Sequence, residues 1–110
     1  MTRIKLLTAA DKKKIPPLYA QGKKGDQAVA WIKFFTPDAN WAWYATEYDP
    51  IAEMFFGLVV GQEAEIGYFS LADLASIRGQ FGLPVERDIH WRPATITEIR
   101  NSWLAPIHSF

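Results

Sequence analysis

Three groups of residues have types and spacings that could do chemistry. The first is Glu86-Arg87-Asp88-Ile89-His90. On an extended strand Glu86, Asp88 and His90 project from one face. Two carboxylates and an imidazole are competent ligands for zinc or manganese, or an acid–base set. The same alternation is what a half-buried edge strand shows, with Val85 and Ile89 turned inward. No His-x-His or His-Glu-x-x-His accompanies it, and His108 is the only other histidine.

The second group is Trp41, Trp43, Tyr44 and Tyr48 beside Asp38, Asn40, Glu47 and Asp49, with Glu53 following. Aromatic rings next to acids can receive a cation or a basic peptide. Stacking nucleobases would call for interleaved Lys or Arg, and this segment has none. Rings are also what a small domain builds its core from. Glu47, Asp49 and Glu53 with Glu63 and Glu65 could pair carboxylates across strands, as glycoside hydrolysis needs. Scattered acids more often mark a solvated face.

The third group is Lys12, Lys13, Lys14, Lys23 and Lys24, two clusters suited to non-specific phosphate contact. Nucleophile and phosphate-loop motifs are missing. Ser70 and Ser76 lack a Gly-x-Ser-x-Gly elbow, and Gly22-Lys23-Lys24-Gly25 lacks the Walker spacing. No catalytic residue and no cofactor is therefore assigned from sequence, and an enzyme is not expected.

The charge behind these groups is uneven. The chain has 110 residues, no Cys and a formal net charge of zero. Residues 1–24 carry seven bases against one acid, Asp11, and the rest carries the opposite excess. Between Lys33 and Arg78 there is no base, only Asp38, Glu47, Asp49, Glu53, Glu63, Glu65 and Asp73. Either the basic segment folds over the acidic body, or an acidic face stays open for a basic partner. The acidic body would repel a duplex, which makes nucleic acid the weaker partner.

The elements that must position these residues follow from periodicity and caps. Thr8 with Asp11, Ser70 with Asp73, and Thr95 with Glu98 are N-cap pairs at capping spacing. They predict short helices over 9–14, from 71 to about 77, and from 96 to about 101. Pro16-Pro17 stops the first. Period-two alternation predicts strands over 28–35, 41–48, 55–62, 65–69 and 85–91. Short connections predict antiparallel neighbours. The expected fold is one α+β domain over 1–110, an antiparallel meander of four to five strands with two or three short helices. The tail residues Trp103, Leu104, Ile107 and Phe110 are expected to pack on it. Without Cys, disulfides and thiol catalysis are excluded. The start carries no secretory pattern and no apolar run reaches membrane length, so a cytoplasmic chain is expected, with no membrane partner.

Several stretches together are similar to a known family. They are Leu18-Tyr19, Lys33-Phe34-Phe35-Thr36-Pro37-Asp38-Ala39-Asn40-Trp41, Trp43-Tyr44-Ala45-Thr46-Glu47, Phe56-Gly57-Leu58-Val59, Gly67-Tyr68-Phe69-Ser70, Arg78-Gly79 and Gly82-Leu83-Pro84-Val85-Glu86-Arg87-Asp88. The chain resembles DUF2958 over roughly residues 5–100, a family of small bacterial proteins of unknown function. The resemblance implies a setting on plasmids and integrative conjugative elements, and supplies no catalytic residue. Accessory proteins of such elements often block host defence effectors, which hold nucleic acid in basic channels. The expected function is therefore a non-enzymatic anti-CRISPR or antirestriction inhibitor. It would bind a basic protein partner through an acidic, aromatic face of Asp38, Trp41, Trp43, Glu47, Asp49 and Glu53. The alternatives are an enzyme using Glu86, Asp88 and His90, and a nucleic-acid binder using Lys12, Lys13, Lys14, Lys23 and Lys24.

Overall fold

The structure is a computed structural model that describes the backbone of residues 5–104 and the side chains of residues 5–102. The expected packing of Trp103, Leu104, Ile107 and Phe110 lies outside the described side chains. The expected α+β architecture is present. A five-stranded antiparallel sheet is ordered β5-β4-β3-β2-β6, from β2 (Ile32–Phe35), β3 (Ala42–Asp49), β4 (Met54–Val60), β5 (Ala64–Ser70) and β6 (Glu86–Arg87). Strands β2 to β5 form the meander that the short connections predict. A two-stranded ribbon pairs β1 (Val29–Ala30) with β7 (Ala94–Thr95).

Each face of the sheet has its own core. One face carries Ile32, Phe34, Trp43, Ala45, Tyr48, Phe55 and Phe69, covered by Leu7 and Ile15 flanking α1 (Ala9–Lys14) and by Leu74 of α2 (Leu71–Ser76). The other carries Tyr44, Leu58 and Val60, covered by Ile96 and Ile99 of α3 (Ile96–Leu104). The apolar residues on both faces of the 28–35 and 41–48 patterns thus have a common cause, a sheet covered on both sides.

The three caps close as their spacing requires. Thr8 Oγ1 accepts from Asp11 N–H at 3.1 Å while Asp11 Oδ2 accepts from Thr8 N–H at 2.9 Å. Ser70 Oγ accepts from Asp73 N–H at 2.9 Å. Thr95 and Glu98 make the reciprocal pair at 3.1 and 2.8 Å. Asp11 also receives both terminal nitrogens of Arg87, at 2.6 and 2.9 Å, which ties α1 to the short edge strand β6.

Two strand expectations need correction. The stretch 28–35 divides at Trp31 into β1 and β2, because both backbone groups of Val29 are taken by the Gln21 side chain. The stretch 85–91 is a strand only at Glu86–Arg87. After Asp88 N–H donates to Lys33 O, Asp88 Oδ1 accepts from His90 N–H at 2.9 Å and turns the chain away.

Tyr48 gives a clean test of the packing. Its ring is buried against Phe55 at 4.6 Å, and its hydroxyl has no hydrogen-bond partner among the described residues. Burial, then the charges of Glu53 and Asp49, push its phenol above the ordinary value of 10.0. The fold therefore favours the neutral phenol. That contribution is complete below pH 10 and is lost as pH rises through the folded-state value. Tyr48→Phe should be neutral, or stabilising by up to about 1 kcal/mol, at pH 7. It should also flatten the loss of stability above pH 10, read by denaturant melts at pH 7 and at alkaline pH.

Candidate functional site

The three candidate groups do not assemble as the sequence suggested. Trp43 is buried in one core at 5% exposure, and Glu47 is buried at 3% on the opposite face of the sheet. Asp38 and Trp41 lie before β3, and Asp49 and Glu53 lie at its far end. An eight-residue strand separates them by roughly 25 Å. Asp38 Oδ2 is occupied by the distant loop at 81–83, accepting from Phe81 N–H at 2.6 Å and Leu83 N–H at 3.2 Å. Asp49 Oδ1 accepts from Ile51 N–H at 2.9 Å in a turn. Only Trp41 and Glu53 of the six are exposed, so the set is not one face.

Glu86, Asp88 and His90 do not converge either. The strand that would align them ends at Arg87, and Asp88 is engaged by Lys33 at 3.8 Å and by the His90 backbone. Among the described residues no three acids or histidines are grouped so as to hold a metal. All five lysines are exposed, but on different sides. Lys12, Lys13 and Lys14 ride on α1 over one core. Lys23 and Lys24 sit in the 3-10 helix Gly22–Gln27, which packs beside α3 over the other.

Glu47 and Gln21 explain how the chain crosses from one side to the other. Strand β2 starts opposite Ala45, so the last half of β3 lacks a strand neighbour there. Residues 16–21 fill the gap. Tyr48 N–H donates to Pro16 O at 2.9 Å. The Glu47 carboxylate accepts Tyr19 N–H at 2.8 Å and Gln21 N–H at 2.7 Å. The Gln21 amide donates to Val29 O at 3.0 Å and Thr46 O at 2.8 Å, and accepts Val29 N–H at 2.7 Å. One side chain thus bridges β1 and β3 where backbone pairing fails. Buried polar groups are tolerated when satisfied in this way. Gln21→Ala should lower stability by about 2 kcal/mol, since it leaves two carbonyls and an N–H without partners. A denaturant melt checks this.

The same crossing sets up the surface beyond it. Thr46 forms a β-bulge opposite Gly57, and Glu47, Phe56 and Tyr68 then lie in one row across β3, β4 and β5. The Phe56 and Tyr68 rings meet at 4.9 Å. The neighbouring Tyr19 side chain, then burial, pushes the Tyr68 phenol above its ordinary value. A cavity of about 210 Å³ opens beside this row, lined by Gln21, Ala28, Glu47, Phe56, Ile66 and Ile96. Both Glu47 oxygens are occupied by backbone donors, so Glu47 is a structural carboxylate.

Among the described residues strand β5 is the outer strand of the sheet. Ile66 is 44% exposed and Tyr68 54%. Glu63 and Glu65 stand at its start, and Glu53 and Asp73 at its other end, where Met54 pairs with Ser70. All four acids are exposed. The ion pairs among the described residues use Asp11, Asp26 and Asp88, and none of these four. The lysines of residues 5–24 are likewise absent from those pairs, so the basic segment does not neutralise the acidic body through them. This edge is the strongest candidate site. The sequence signal for it was the base-free stretch from Asp38 to Asp73. What periodicity could not supply was which of its acids face solvent.

A family model described as "Protein of unknown function (DUF2958)" matches residues 3–101. No curated protein and no solved structure matches the chain. Among the described residues no helix is long and apolar enough to cross a membrane. With nearly its whole length matched, the chain belongs to the DUF2958 family.

Proposed function

We propose that this chain is a non-enzymatic, protein-binding accessory protein of mobile genetic elements. In this reading it acts in the cytoplasm as an anti-CRISPR or antirestriction inhibitor, offering an acidic face to the basic nucleic-acid channel of a defence nuclease. The observation that carries the reading is the set Glu53, Glu63, Glu65 and Asp73. These acids bracket the exposed strand β5, and no ion pair among the described residues uses them. Like-signed surface charge of this kind steers association with an opposite-signed channel and gives specificity. The setting on mobile elements is what the family resemblance implies. The lysine clusters support a nucleic-acid reading less well, because they lie on opposite sides of the sheet.

The test is DNA cleavage by a panel of purified CRISPR and restriction nucleases, with and without a stoichiometric amount of the chain. Loss of cleavage by at least one nuclease is expected. Unimpaired cleavage across the panel overturns the reading.

A further inference from the structure

We infer that β5 takes up an extended, basic segment of the partner as a sixth strand of the sheet. This rests on the protein-binding reading and adds the mode of binding and the kind of segment bound. A sheet edge presents a row of unpaired N–H and C=O groups, and proteins normally blunt it with shortness, Pro, charged side chains or a bulge. The opposite edge is blunted by shortness, since β6 has two residues. β5 has seven residues, Ala64–Ser70, with no Pro and a single charged side chain, Glu65. Its pairing with β4 runs from Met54 and Ser70 to Val60 and Ala64 without a register shift. It therefore offers roughly 20 Å of regular edge.

The two faces of this edge specify what would pair with it. Ile66 and Tyr68 project on one face, next to Phe56. Glu65 projects on the other, with Glu63 just beyond. Side chains of an added strand alternate in the same way. The fitting segment carries β-branched or aromatic residues on the Ile66 and Tyr68 side. It carries Lys or Arg on the Glu65 side. Charge argues against a second copy as the occupant, because the base-free stretch that contains β5 would bring further acids and no base.

A short synthetic peptide alternating lysine with valine is titrated into the full isotope-labelled chain. Amide exchange of residues 64–70 is followed by nuclear magnetic resonance. Three further probes run in parallel. One is the same peptide with alternate backbone nitrogens methylated, one has glutamine in place of lysine, and the third is the Glu65→Lys chain. The expected result is slowed exchange along β5 with the lysine peptide. Methylation should abolish it, and Glu65→Lys or the glutamine peptide should weaken it at least about tenfold. Equal binding of the methylated peptide overturns strand addition, as does no binding at all. Equal binding of the glutamine peptide overturns the basic requirement. A dimer with β5 amides already protected assigns the edge to a second copy and also overturns the inference. Inhibition of a nuclease is read in its own assay. A failed peptide with inhibition intact removes strand addition alone, whereas absent inhibition removes the wider reading.

Discussion

Gly57→Ala should lower stability by about 3 kcal/mol, and Gly57→Val should leave the chain unfolded at 25 °C. A Cβ at Gly57 would lie well inside contact distance of the Tyr44 carbonyl oxygen, which is backbone and cannot swing aside. The cause is local. Thr46 bulges out of β3 beside this point, its hydroxyl donating to Phe56 O at 3.0 Å, and the β3 backbone closes down over Gly57. Relief would require β3 to move, and β3 is buried from Ala42 to Tyr48. A loss of this size in a domain of about 100 residues shifts Tm by roughly 15 °C. Gly67 supplies the control. It pairs directly with Gly57, yet a Cβ there meets nothing within 4 Å, and its φ is not positive. Gly67→Ala should therefore be neutral, or stabilising by about 0.5 kcal/mol, through the unfolded chain. Thermal melts of both variants decide the matter. Equal losses would contradict the bulge-centred account of this sheet.

Reversing three acids at once, Glu53→Lys, Glu63→Lys and Glu65→Lys, should weaken the complex with an inhibited nuclease by about 100-fold or more. Each reversal replaces an attraction with a repulsion against a basic channel. The side chains are exposed and take part in no ion pair among the described residues, so the fold should tolerate the change, with Tm moving by no more than about 3 °C. Wild-type binding should also weaken steeply as salt rises, and the triple variant should lose most of that slope. Lys12→Glu with Lys13→Glu, both exposed on α1, is the matched control and should leave the complex intact. If that control weakened binding as much as the acid reversals, the lysine clusters and not the acidic edge would be the contact.

The parts of the fold written in short-range pattern were legible. The Thr8–Asp11, Ser70–Asp73 and Thr95–Glu98 caps fixed three helix starts, because capping needs only residues three apart. The central strands followed from alternation and short turns. The strand expected over 85–91 is cut short by the local Asp88–His90 turn, whereas the other misreadings depended on contacts distant in sequence. Gln21 sits in a Gly- and Lys-rich stretch that reads as loop, but its amide is buried between Val29 and Thr46. That bridge divides the first expected strand. Glu47 looked like a surface acid beside aromatics. The bulge at Thr46 and the returning segment at Tyr19 and Gln21 make it an internal acceptor. Trp43 belongs to the core for the reason any large ring in a small domain does. The candidate site was legible as a charge pattern and illegible as a surface. The absence of bases from 34 to 77 marked the region, whereas the exposed edge exists only because β5 is last in the sheet order.

The most direct measurement is hydrogen–deuterium exchange of the full chain, free and bound to a nuclease that it inhibits. Slowed exchange is expected in residues 63–70 and around Glu53 and Asp73, with residues 12–14 and 23–24 unchanged. Protection centred on the lysines, or on the Glu86 to His90 turn with β5 left open, would contradict it.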